Sequence, residues 1–181
     1  MKSTPAAQRG FTLVELVVVI LVLGILAATA LPRFMNSTTA ANKAAVSGIT
    51  GAFGSALQLA HAQWVVNGNT GVATNVTGFG DGTVDFSITG WPTDTAGTTA
   101  VASGANAQCV SVWGSIMQNP PTIASNAVGS DWCAIAGAAN VCTYIYLKDA
   151  SSAATCATTA TGVTRFFTYD TTSGAVAITN P

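Results

Sequence analysis

Glu15 is the one acidic side chain in an apolar run from Phe11 to Leu31 of a 181-residue chain. An ionisable group near the centre of a lipid-spanning helix costs roughly 2.5–3.5 kcal/mol, so a carboxylate here implies an interaction that offsets that cost. Pairing with a positive charge is the natural one, because a buried charge is tolerated when it is matched. The competing reading makes Glu15 a snorkelling residue near the membrane interface. A second set of reactive side chains is the four cysteines, Cys109, Cys133, Cys142 and Cys156, all in the C-terminal half and without a C-x-x-C pair. An even count in an exported domain reads as two disulfides, with three connectivities open. Pairing neighbours, Cys109 with Cys133 and Cys142 with Cys156, closes the shortest loops and is the preferred arrangement. Zinc binding is the weaker reading, since the one histidine, His61, lies far upstream and the spacing fits no ligand pattern.

Other reactive types lack companions. His61 has no serine, cysteine or acid at catalytic spacing and reads as a packed or solvent-edge residue. Asp81, Asp85 and Asp94 match no calcium loop, and Asp81-Gly82 reads as a turn. With no Ser-His-Asp set, phosphate loop or haem-binding C-x-x-C-H in the sequence, we expect no catalytic residues, no metal and no cofactor. Charged residues make up 7% of the chain and the formal net charge is −1. Typical soluble proteins carry roughly 25% charged residues, and nucleic-acid binding needs a basic face that this composition does not supply.

Positioning Glu15 requires a long apolar helix. The run from Phe11 to Leu31 holds about 21 residues and reaches about 32 Å as a helix, close to the ~30 Å hydrocarbon thickness of a bilayer. Lys2 and Arg9 precede it, and positive charge before an apolar stretch holds that end in the cytoplasm. An ordinary signal peptide cut near Ala27 to Ala30 is the alternative for this segment. Pro32 removes a helical hydrogen bond and predicts a kink or local melting. Beyond it, Val46, Ile49, Phe53, Leu57, Ala60 and Trp64 recur every three or four positions on one helical face that ends near Asn67-Gly68. The glycines Gly48, Gly51 and Gly54 weaken that portion, so tertiary packing must hold it.

The stretch Gly10 to Leu16, GFTLVEL, after a short basic leader and at the start of an apolar helix, resembles the N-terminal signature of type IV pilins and type II secretion pseudopilins. The resemblance implies that a prepilin peptidase cuts after Gly10 and methylates Phe11, and that Glu15 is the acidic residue used in assembly. It also implies a helix loosened or broken at Gly24 and Pro32. A narrower resemblance to pilins of the mannose-sensitive haemagglutinin type rests on Ala60 to Asn69, AHAQWVVNGN, and on Gly90-Trp91-Pro92. Implied partners are further copies of the chain in a helical homopolymer, the peptidase, a pilus assembly ATPase and an inner-membrane platform protein. The implied course is a single pass of the inner membrane with a cytoplasmic N-terminus, then an extracellular pilus.

From Gly68 to Ala107 the chain reads as loop with one short strand near Val84 to Ile88, and Cys109 to Met117 as a short helix or strand stopped at Asn119-Pro120-Pro121. Val141 to Lys148, Val163 to Tyr169 and Ala175 to Thr179 predict an antiparallel meander packed on Phe53, Leu57 and Trp64. The expected fold is therefore α+β and pilin-like, a long N-terminal helix against a C-terminal antiparallel sheet. Its parts are a cleaved leader at 1–10, a transmembrane and filament-core helix at 11–32, an amphipathic half at 33–67 and a globular head at 68–181. Three functions fit this plan. The favoured one is a pilin subunit for surface attachment or motility; the others are a pseudopilin of a type II secretion system and a membrane-anchored binding module or enzyme.

Overall fold

Residues 10–125, 129–148, 156 and 165–179 are described by a computed structural model. The leader apart from Gly10, the expected strand start at Val163 and most of the loop around Cys156 lie outside the described residues. The chain divides into two units, Met1–Ala40 and Ala41–Pro181. A 54-residue helix, α1 (Leu13–Val66), contributes to both. In the first unit its large apolar side chains from Leu13 to Leu26 are 44–77% exposed. Such a surface needs lipid or protein around it. Mean hydropathy reaches 2.8 over an 18-residue window, enough for a membrane crossing by length and composition.

The expected loosening at Gly24 and Pro32 is not expressed as an interruption, since both residues lie within the assigned helix. Proline's fixed φ is already helical, so the turns on either side continue past the single bond that its missing N–H removes.

In the second unit α1 buries Val46, Phe53, Leu57, Ala60 and Trp64, as the spacing requires, while Ile49 is only partly buried. The helix stops where Gly68 adopts φ 75°. Gly68 N donates to Val65 O at 2.9 Å and Asn69 N to Trp64 O at 3.3 Å, the paired bonds that satisfy the last carbonyls of a helix. A small antiparallel pair follows, β1 (Asp85–Phe86) and β2 (Pro92–Asp94). Then comes α2 (Asn106–Ile116), so the ambiguous Cys109 to Met117 stretch is helical. Its buried residues Cys109, Val112, Trp113 and Ile116 recur at three and four, a spacing that only a helix turns to one face.

The main sheet holds β3 (Ile123–Ala124), β4 (Trp132–Ala138), β5 (Val141–Tyr146), β6 (Phe166–Asp170) and β7 (Val176–Thr179), in that spatial order. β3 pairs parallel with β4 and the rest pair antiparallel. The meander of β5, β6 and β7 is the expected one. β4 was not expected, because its WCAIAGA sequence, with three alanines and a glycine, is too poor in β-branched residues to announce a strand. Phe53 lies at the centre of the core, with ring centroids 5.0 Å from Tyr144, 5.3 Å from Phe167, 5.5 Å from Tyr169 and 5.9 Å from Trp113. The buried phenols keep partners: Tyr144 donates to Cys109 O at 2.9 Å and Tyr169 to Pro92 O at 2.8 Å. Burial pushes both phenols well above the ordinary tyrosine pKa.

The disulfides are Cys109–Cys142 and Cys133–Cys156, which corrects the expected pairing of neighbours. Strand parity explains the difference. Cys142 belongs to the same core cluster as Cys109, whereas Cys133 groups with Ile145, Leu147 and Cys156 in a separate cluster on the other side of the sheet. Cys109, on the helix packed against the first face, therefore meets Cys142.

Candidate assembly site

Gly10 and Phe11 precede α1, both exposed, with Phe11 90% accessible. Thr12 caps the helix. Its hydroxyl accepts a hydrogen bond from Glu15 N at 3.2 Å, while Glu15 Oε2 accepts from Thr12 N at 3.0 Å and from Thr12 Oγ1 at 2.9 Å. The reciprocal bonds make a capping box, with a threonine at the N-cap and an acid three residues on. They satisfy donors that a helix start leaves orphaned, and they hold a negative charge where the aligned peptide dipoles favour one. Glu15 is thus engaged by its own helix start, its carboxylate held there by Thr12. Sequence reasoning had passed over Thr12, although the T-x-x-E spacing of Thr12 and Glu15 is the signal for this cap.

The other singled-out residues serve the head. His61 is stacked between two indoles, 4.2 Å from Trp91 and 5.6 Å from Trp64 between centroids, and its Nδ1 lies 2.7 Å from Gly90 O. That bond requires the proton on Nδ1. The Ala60 to Asn69 stretch and the Gly90-Trp91-Pro92 corner are brought together by this stack. Asp81 accepts from Thr83 N and Oγ1, as a turn-former does. Asp85, fully buried, accepts from Asn75 N at 3.0 Å and Gly97 N at 2.6 Å. Asp94 accepts from Ser111 Oγ at 2.6 Å and from Thr98 Oγ1, which joins β2 to α2. Each of the three carboxylates is engaged by local donors, and the structure does not bring them together with His61.

Residues 5–31 match the family described as the prokaryotic N-terminal methylation motif. The type IV narrow pilus major component PilA5 of Thermus thermophilus is 47% identical over 55 residues, which cover 30% of this chain and 47% of the Thermus protein. In its N-terminal region the chain is similar to type IV pilins. The match spans about half the length of that relative, and the N-terminal helix carries it. No solved structure matches the chain. A long apolar helix followed by a sheet-containing head is a pilin-like plan.

Proposed function

We propose that the chain is the structural subunit of a type IV pilus, polymerising through its N-terminal helix into an extracellular filament used for attachment or motility. The observation that carries this reading is an unburied apolar helix whose start already holds a carboxylate in a capping box. Before assembly the apolar face meets lipid and afterwards it meets other helices. Cleavage after Gly10 by a prepilin peptidase makes Phe11 N the terminal amine, which is then methylated. That amine adds positive charge at the positive end of the helix dipole, where Glu15 of the same or an adjacent subunit is the matching anion. Glu15 then sets the register of the packed helices. An assembly ATPase and a platform protein in the inner membrane supply the energy and the insertion point.

The test is the N-terminal residue of mature protein in sheared extracellular material, together with the Glu15→Ala variant. N-methylated Phe11 in the sheared fraction, and loss of filaments from Glu15→Ala with leader removal intact, are the expected results. Mature protein retained in the cell envelope would favour the pseudopilin instead. Soluble protein beginning near Pro32, or normal filaments from Glu15→Ala, would overturn the assigned roles.

A further inference from the structure

The five-stranded sheet ends at β7, and among the described residues no strand pairs with its outer edge. Asp170 N donates to Ala175 O at 3.0 Å, so the alternation of an antiparallel pair gives Ala177 and Thr179 the inward bonds to β6 and turns the N–H and C=O of Val176 and Ile178 outward. An edge of this kind is a template for a further strand, and proteins usually blunt it with a lysine, a proline, a bulge or a very short run. β3, at the opposite end of the sheet, is blunted by its two-residue length. β7 carries none of these devices: its sequence, VAIT, is uncharged and its register with β6 runs without a shift. The side chains also leave something uncovered. Val176 and Ile178 lie opposite Tyr169 and Phe167, both fully buried, so they share the core face of the sheet, yet Ile178 is 37% exposed. The edge therefore presents outward backbone groups and an apolar side chain that one further strand would cover together.

Resting on the pilus reading, we propose that β7 pairs antiparallel with β7 of a second copy, and that this contact joins two filaments side by side. The occupant is named by self-complementarity. With Ala177 opposite Ala177 of the second copy, Val176 meets the second copy's Ile178, and each such pair exchanges two N–H···O bonds through the groups that β6 leaves outward. On the core face Val176 then covers the second copy's Ile178, an apolar pair of β-branched side chains. On the other face the opposed residues are Ala177 with Ala177 and Ala175 with Thr179, small enough for the ~4.5 Å Cα separation of non-hydrogen-bonded positions. No like charges are brought together, since the strand holds none. The pairing is two-fold and closes on itself, whereas successive copies along a helical filament meet through unlike surfaces, so it links the heads of separate filaments.

The test uses the full chain in cells and its sheared filaments at low ionic strength. Wild-type filaments should sediment at low speed as bundles. Ala177 is exposed, so Ala177→Lys and Ala177→Glu should each leave head melting and filament yield unchanged while lowering the bundled fraction at least fivefold, because like charges then face each other across the two-fold. Mixing the two variants' filaments should restore bundling, which a damaged fold would not allow. All four native cysteines are in disulfides, so Ala177→Cys under mild oxidation should give linked dimers, and Ala139→Cys, on the exposed turn between β4 and β5, should not. Wild-type filaments that stay single, bundling indifferent to either charge, no recovery on mixing, crosslinks as strong from Ala139→Cys, or capture of a different protein by Ala177→Cys would overturn the edge pairing and leave the subunit reading standing. A wild-type chain that forms no filaments would overturn the subunit reading and, with it, the joining of filaments.

Discussion

Glu15 is held in a capping box that the hydroxyl of Thr12 makes possible, and the proposed filament would give it a second partner in a terminal amine. In the head, two glycines work by what they leave out. Gly90 at φ 81° lies under Trp64, where a Cβ would sit 2.5 Å from Cε3, and Gly174 at φ 71° lies under Trp91, where it would sit 2.3 Å from the ring. These glycines flank the Trp64–His61–Trp91 stack. Gly90→Ala and Gly174→Ala should each lower head stability by about 1–3 kcal/mol through strain and overpacking, read as a shift of the urea midpoint with an unchanged m-value. Burial on its own would raise the Asp94 pKa, but the hydroxyl donors of Ser111 and Thr98 outweigh it and hold the carboxyl below its ordinary range. A depressed folded-state pKa contributes stability at neutral pH that is lost as pH falls through it. Melting temperature should therefore drop below about pH 4, and Asp94→Asn should show a shallower acid limb from a lower starting value at pH 7.

At the scale of elements, the head is held by one aromatic core and two disulfides with different surroundings. Cys109, Cys142 and Cys133 are fully buried, while Cys156 is partly exposed. Thiol exchange depends on access, so mild reductant should open Cys133–Cys156 before Cys109–Cys142, as alkylation and mass spectrometry of the native protein can show. Replacing the Cys109–Cys142 pair by serine should cost about 2–5 kcal/mol. That bond also joins α2 to β5 beside Phe53, so the loss should appear in the aromatic circular dichroism as well as in the melt. α1 itself joins two regimes. Its first part has no buried large apolar side chain among those described, and its second is fixed by Val46, Phe53 and Leu57.

The whole molecule is poor in charge. With 7% charged residues, and Asp131 and Lys148 paired within the chain, the proposed filament would hold its heads together by apolar and hydrogen-bonded contacts, leaving the Glu15–amine pair, shielded among packed helices, as its ionic one. Raising salt from about 0.1 to 1 M shortens the Debye length from about 10 to 3 Å. Filaments should keep their length and yield across that range, measured by electron microscopy and sedimentation. Marked disassembly at high salt would point to charged contacts that this composition does not suggest.

Local pattern determined the apolar helix, the heptad-like stripe that ends at Trp64, the Asn67-Gly68 stop and the aromatic strands β5 and β6, because each of these is written in spacing or residue type within a few turns. GFTLVEL carried the likeness to pilins for the same reason. Only the tertiary structure decided the rest. β4 exists because its neighbours supply the ladder that its small residues do not demand. Cys109 meets Cys142 because helix α2 lies on one face of the sheet, and alternation along a strand turns Cys133 to the other. His61 finds Trp91 and Gly90 from 29 or more residues away in sequence. Sequence proximity ranks none of these contacts, since the choice among them depends on which faces the folded chain brings together.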